Sequence, residues 1–167
     1  MNGPEIPDEH YLAVGRIAVA AAMVDAMTGF ILHAATGEDV GFQDRTWLGI
    51  VGKSGEPQRS MEKLLKQRPD DDRLVEFWHD REELFKERGR ILHSVVELVF
   101  PEAREGEEFT AREGTPLEWS MTHPKTLEEH PLPTREQVDE LVAKMNALSR
   151  RAPSIATRAA ADSAQNP

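Results

Sequence analysis

The sequence predicts an all-α fold, a bundle of four to six helices with a short β-hairpin inserted before the last helix. Three observations favour this fold. Apolar residues recur at helical spacing in several segments, glycine or proline follows most of them, and strand-like alternation is confined to residues 102–133. With 167 residues, 39% of them hydrophobic, the chain can bury a core as one domain. We expect this domain to cover residues 9–151, with a flexible arm before it (1–8) and an alanine-rich tail after it (152–167).

The first predicted helix begins near Glu9, with Asp8 or a neighbour as its cap, and Gly37 is placed to end it. Its segment 17–24 contains no polar residue. A membrane span needs about 20 consecutive apolar residues, and charged residues interrupt this run. Since a helix that is apolar on all sides is usually central or at an interface, we interpret it as a core and dimer-interface helix.

Asp25 is the one carboxylate within this apolar helix, and such a group needs a partner. Two interpretations follow. Asp25 forms a structural ion pair or lies at an outward-facing edge, or it orients one of three groups further along the chain, Arg88, Arg90 or His93.

The next segments predict two short helices, residues 43–51 and residues 57–67, the second ended by Pro69. Aspartates 70–72 then start a longer helix, because negative charge is favoured at a helix N-terminus. One face of this helix is formed by side chains at helical spacing: Leu74, Phe77, Trp78, Arg81, Leu84 and Phe85. Gly89 marks a kink or a junction, after which we expect an apolar helical segment over residues 95–100.

Arg88 and His93 form the pattern R-x-x-x-x-H. An arginine can hold a phosphate through two donors of its planar guanidinium, and a histidine can exchange a proton near neutral pH. Together they can cleave a phosphodiester without a metal or cofactor. On a straight helix they would lie about 140° apart, so a kink or a long arginine side chain is needed to bring them together, whereas Arg90 and His93 are neighbours. The alternative is that Glu97, one turn on, satisfies His93 within the bundle.

The residues of this pattern, with Ser94 after the histidine, resemble the signature of the HEPN superfamily. The resemblance covers roughly residues 8–150: a long alanine-rich first helix, a charged helix leading into the motif, a polar stretch and a closing capped helix. These are small all-α domains, many of them metal-independent endoribonucleases of toxin, anti-phage or RNA-processing systems. The family usually has Asn or Asp where this chain has Gly89.

The resemblance implies that His93 is the general acid–base and Arg88 the phosphate clamp. Arg90 would be auxiliary, with Asp25 or Glu97 in support. The ribose 2′-OH would attack the adjacent phosphate and leave a 2′,3′-cyclic phosphate. RNA would be the substrate, an antitoxin or regulatory protein a partner, and the active form a homodimer whose two motifs converge at the interface.

The charge balance restricts this function. A net charge of −10 argues against broad nucleic-acid binding, and around the motif four basic residues are offset by four acidic ones. The alternative is a non-catalytic HEPN-like module that binds a protein partner or a nucleotide, which Gly89 and the lack of a tyrosine shortly after His93 favour; a purely structural bundle is a third interpretation. The absence of cysteine and of a secretory pattern at the N-terminus predicts a cytoplasmic protein.

The last helix is predicted from a Thr134-x-x-Gln137 capping box and the apolar row that follows it. Its buried face is expected to consist of Val138, Leu141, Val142, Met145 and Leu148. We expect Pro153 to break the helix, which would then end near Arg151. Before it, weak alternation in residues 107–112 and 117–121 predicts the hairpin.

Overall fold

The computed structural model describes residues 6–37, 55–99, 118–122 and 129–165. The described residues form four α-helices and one small antiparallel sheet, which confirms the predicted, mostly helical character. The helices are α1 (Asp8–Thr36), α2 (Gly55–Gln67), α3 (Asp72–Leu92) and α4 (Arg135–Gln165). The strands are β1 (Val95–Val99), β2 (Glu118–Thr122) and β3 (Glu129–Pro131). The expected helix over 43–51 and the first five residues of the expected arm lie outside the described residues.

The long helices α1 and α4 run parallel to each other. Near their starts, Arg16 Nη2 lies 2.5 Å from Asp139 Oδ1, and near their ends the Ser163 hydroxyl donates to the Ala35 carbonyl at 2.6 Å. Between these contacts they bury apolar side chains, including Ile17, Val24, Ile31 and Leu32 of α1 and Val138, Met145, Leu148 and Ile155 of α4. The predicted core helix is therefore central to the bundle.

Helix α3 runs antiparallel to α1. Arg68, just before α3, donates to Ser163 of α4, which itself donates to Ala35 near the end of α1. Arg81, halfway along α3, contacts Asp25. The end of α3 therefore lies beside the N-terminal half of α1. The helix contributes the predicted face to the core: Leu74, Phe77, Trp78 and Arg81 are buried, and Leu84 and Phe85 are partly buried.

The predicted helix starts are confirmed with one correction. Asp71 accepts a hydrogen bond from the Leu74 amide at 3.3 Å and caps α3. Thr134 and Gln137 form the expected capping box at the start of α4, with N···O distances of 2.8 and 3.3 Å. At α1 the cap is not Asp8 itself: its neighbour Pro7 occupies the cap position without a side-chain hydrogen bond, and Asp8 lies in the first turn, where its charge is favoured by the helix dipole.

Gly37 ends α1 as predicted. It has φ of 70° and donates its amide to the His33 carbonyl at 2.8 Å. Glycine adopts this left-handed conformation without the steric cost of a Cβ, which is why the helix stops here.

The helical segment predicted for residues 95–100 is wrong, because 95–99 form strand β1. Three of its five residues are valines, which favour strands because their branched Cβ restricts helical rotamers. The strand pairs antiparallel with β2, with Glu97 opposite Ser120, and β3 completes the sheet. Strand β2 confirms the second strand of the expected hairpin, although its partners are β1 and β3; residues 107–112 lie outside the described residues.

The break predicted at Pro153 is not observed, and residues 152–165, expected to form a tail, continue α4. Pro153 is exposed, so its ring occupies the outer face of the helix. The inner face buries four apolar side chains of this segment, Ala152, Ile155, Ala156 and Ala159. This burial, with hydrogen bonds from Arg68 to the Ala159 carbonyl and to Ser163, offsets the cost of an interior proline, which is about 3 kcal/mol.

Candidate catalytic site at the end of helix α3

Arg88 has an unusual environment among the arginines of the bundle. Its guanidinium carbon lies 5.0 Å from the centre of the Phe85 ring, and its Nε is buried. Within the described residues, no hydrogen bond satisfies that Nε and no carboxylate pairs with the guanidinium. Every other buried or partly buried arginine of the described part contacts a carboxylate: Arg16, Arg68, Arg81, Arg90 and Arg151. The charge of Arg88 is therefore available to an external anion.

Arg90 is already paired with an acidic neighbour. Its Nη2 and Nε lie 2.6 and 3.3 Å from the two carboxylate oxygens of Glu87, one helical turn back. Such a bidentate pair neutralises the guanidinium locally. An auxiliary role for Arg90 in binding a phosphate thus requires the phosphate to displace Glu87.

His93 is exposed at the C-cap of α3, and its backbone amide donates to the Gly89 carbonyl at 3.1 Å. Its ring lies against Gly89, since a Cβ added at that glycine would be 3.9 Å from His93 Cδ2. Ser94, the next residue, donates its hydroxyl to the Arg90 carbonyl. The imidazole is thus held beside the helix end with access to solvent.

Arg88 and His93 are not in contact. Helix α3 continues through Gly89 to Leu92, so the expected junction lies three residues later than predicted. Because five residues of helix turn the chain through about 500°, the two side chains leave the axis about 140° apart. Neither a hydrogen bond nor an ion pair joins them in the described part of the chain.

Glu97 stands in β1 opposite Ser120 and not on a helix. Glu97 is therefore not one helical turn after His93, which was the basis for expecting a contact between them. The strand still places Glu97 only four residues beyond His93.

Asp25 forms the ion pair that the sequence left open. Its Oδ1 lies 2.7 Å from Arg81 Nη2, and contacts to Arg88, Arg90 or His93 are absent among the described residues. The Arg81 guanidinium also lies over two rings, 4.7 Å from the centre of Trp78 and 4.1 Å from the centre of Phe85.

The Phe85 ring consequently contacts two arginines, Arg81 and Arg88. Asp25 is connected to Arg88 only indirectly, through Arg81 and this ring. The role of Phe85 as a support for Arg88 was not anticipated, although its position three residues before the arginine is a signal, because residues at i and i+3 share a helix face.

His10 is a second group that sequence reasoning missed. It is 8% exposed, its Nδ1 has no hydrogen-bond partner among the described residues, and burial lowers its pKa. It lies in the N-terminal half of α1, the half that the end of α3 approaches. The residue type alone did not predict that His10 is buried, because a histidine near a helix start is usually exposed.

The described residues contain no group of three or more His, Asp or Glu side chains placed to hold a metal ion. At the end of α3, the described residues include a guanidinium without a carboxylate partner and an exposed imidazole. No known protein-family model matches this chain, and no curated protein or solved structure matches it either.

Proposed function

We propose that this protein is a metal-independent endoribonuclease of the HEPN type, with Arg88 and His93 as its catalytic residues. The observation that carries the proposal is the state of Arg88. Among the described arginines that are not exposed, Arg88 is the one without a carboxylate partner. It belongs to an R-x-x-x-x-H motif whose histidine is exposed.

In the proposed reaction, Arg88 binds the non-bridging oxygens of the scissile phosphate. His93 accepts the proton of the ribose 2′-OH, and the 2′-oxygen forms a bond to phosphorus as the bond to the 5′-oxygen breaks. The products are a 2′,3′-cyclic phosphate and a 5′-hydroxyl, the latter taking its proton from the histidine or from water. General acid–base catalysis of this kind contributes roughly 10²- to 10⁴-fold, and a preorganised cation contributes through the charge of the transition state.

The separation of the two residues sets a requirement on substrate binding. The phosphate must draw the long Arg88 side chain away from Phe85, around the helix towards His93. Because Arg88 is partly buried, its contact with Phe85 is worth about 1–2 kcal/mol, which two charge-assisted hydrogen bonds to a phosphate, at about 1.5–3 kcal/mol each, can offset. Arg90 assists once Glu87 is displaced, and Glu97 lies close enough in sequence to support His93.

The biological setting that we propose follows from the same resemblance. The nuclease acts in the cytoplasm as a homodimer, within a toxin–antitoxin or anti-phage system. An antitoxin or other regulatory protein would then cover the end of α3 and keep the activity in check.

The test is cleavage of total RNA by the purified protein in EDTA. We expect His93→Ala and Arg88→Ala to lower the rate by roughly 100-fold or more with an unchanged helical spectrum. Two exposed residues of the same helix provide matched controls, His79→Ala and Arg73→Ala, which should cleave like the wild type. Full activity of His93→Ala, or loss of activity in EDTA that magnesium restores, contradicts the proposal.

A second candidate is the non-catalytic module that binds a protein partner or a nucleotide. Helix α3 is uninterrupted through Gly89 to Leu92, a geometry that separates Arg88 and His93 by about 140° around the axis and favours this candidate. In that case wild-type protein does not cleave RNA under any of these conditions.

A further inference from the structure

The outer face of α1 carries a row of exposed apolar side chains. Leu12, Val19, Met23 and Phe30 are 65%, 66%, 49% and 43% exposed. At about 100° per residue they fall within an arc of about 40°, and at 1.5 Å per residue they extend over about 27 Å. Four large apolar side chains in a straight row mark an interaction surface, whereas apolar residues scattered singly do not.

The spacing of this row is the same in both directions along the helix. Leu12 and Phe30 are each nine residues from Ala21, and Val19 and Met23 are each two residues from it. If a second copy of α1 lies antiparallel across the row, with a two-fold axis at the height of Ala21 on the opposite, outer face of the helix, Leu12 meets the partner's Phe30 and Val19 meets the partner's Met23. A two-fold interface requires this self-complementarity.

Two further features of the same face suit the antiparallel arrangement. One flank of the row carries small residues, Gly15, Ala22 and Ala26, and the space around Gly15 is open. In the antiparallel pair Gly15 lies beside the partner's Ala26, so that the two backbones can approach closely. At the ends of this flank, exposed Asp8 of one chain comes beside the end of the partner's α1.

We infer that two copies of this chain pair antiparallel through the outer face of α1. A lipid surface is the other occupant to consider, because α1 is long and apolar enough to cross a membrane. However, 44% of its most apolar window is already buried inside the bundle, and the mirror-like spacing of the row has no counterpart in a lipid bilayer.

This pairing has a consequence for the candidate catalytic site. The consequence rests on the proposed function, whereas the pairing itself does not. The end of α3 lies beside the N-terminal half of α1, and an antiparallel partner places its own α3 end at the opposite end of the interface. The two motifs are then separated, so each site uses Arg88 and His93 of one chain. The convergent motifs that the family resemblance implies would need a different interface.

The absence of cysteine from the chain makes the geometry directly testable. We expect a mixture of Leu12→Cys and Phe30→Cys chains to form a disulfide-linked dimer on oxidation. Each variant alone should not, because identical positions would be about 27 Å apart and a disulfide needs Cα atoms within about 7 Å.

Sedimentation of the wild type and two charged variants completes the test. Val19→Glu places two carboxylates at the centre of the interface and should give a monomer. Val75→Glu, at a 42% exposed valine on α3, should remain a dimer. Both should keep the wild-type helical spectrum.

Three results would overturn the inference: a Leu12→Cys chain that cross-links with itself, a wild-type monomer at high micromolar concentration, or a wild-type monomer that floats with phosphatidylcholine and phosphatidylglycerol vesicles. RNA cleavage has no part in these measurements. The failure of the pairing and the failure of the nuclease proposal are therefore distinguishable.

Discussion

At the scale of single residues, Gly89 connects helix stability with the state of His93. A Cβ at this position has room. Apart from the adjacent residues and the backbone of the helix itself, its nearest contact would be His93 Cδ2 at 3.9 Å. Gly89→Ala should raise the free energy of unfolding by about 0.5–1 kcal/mol, because glycine costs backbone entropy within a helix. Urea denaturation followed by circular dichroism measures this change.

The activity of Gly89→Asn tests the role of the same position in catalysis. An Asn side chain at this position would place an amide beside the imidazole and fix its orientation. We expect a several-fold increase in the rate of RNA cleavage over wild type, with Gly89→Ala as the control that adds bulk without a polar group. Equal rates for the Asn and Ala variants would show that His93 needs no such support.

The unpaired state of Arg88 could have been predicted from the sequence, but only by asking what lies one turn away. Its helical neighbours are all apolar, Leu84, Phe85, Ile91 and Leu92, whereas Arg90 has Glu87 at i−3. The segment around the motif is neutral in total charge, and this total does not show that Arg88 lacks a carboxylate while Arg90 has one. The partner of Asp25, by contrast, depends on which helix packs beside α1. The spacing of residues within α1 does not indicate that helix.

At the scale of elements, the Asp25–Arg81 pair fixes α3 against α1. Asp25→Ala should lower the free energy of unfolding by about 2–4 kcal/mol, because it leaves a buried guanidinium without its charged partner. The double variant with Arg81→Met should lose less than the sum of the single changes, with a coupling of about 1–3 kcal/mol.

An exposed pair between two helices serves as the control for this cycle. Asp139→Ala removes the partner of Arg16, and since the two side chains are 38% and 47% exposed we expect a loss of at most about 1 kcal/mol. A similarly small loss for Asp25→Ala would contradict the structural role assigned to that carboxylate.

The elements that were predicted correctly are those whose signals are local. The helix face of α3, the capping box of α4 and the stop at Gly37 each depend on residues within one or two turns. The two largest errors have long-range causes. Residues 95–99 become a strand by pairing with β2, about twenty residues away, and α4 passes Pro153 because its inner face is buried in the bundle.

At the scale of the whole molecule, the proposed pairing of two chains would decide from which residues each proposed site is built. If α1 pairs antiparallel with a second copy, each site contains Arg88 and His93 of the same chain. If the motifs converge, a site can combine Arg88 of one chain with His93 of the other. The two arrangements differ in what a mixed dimer of inactive chains can do.

We therefore expect no recovery of RNA cleavage when Arg88→Ala and His93→Ala chains are mixed and allowed to exchange. Neither chain of the mixed dimer has an intact site in the antiparallel arrangement, whereas a shared site would restore a measurable fraction of the wild-type rate. Mixing one affinity-tagged variant with the untagged one, and recovering both on the affinity resin, verifies that exchange has occurred.

The monomeric Val19→Glu variant makes the same distinction independently. Val19 is 66% exposed on the face opposite the core, so its substitution leaves the end of α3 intact. Since a site built from one chain does not need the partner, this variant should cleave RNA at the wild-type rate per chain. A monomer without activity, together with recovered activity in the mixed dimers, would show that the motifs of two chains converge.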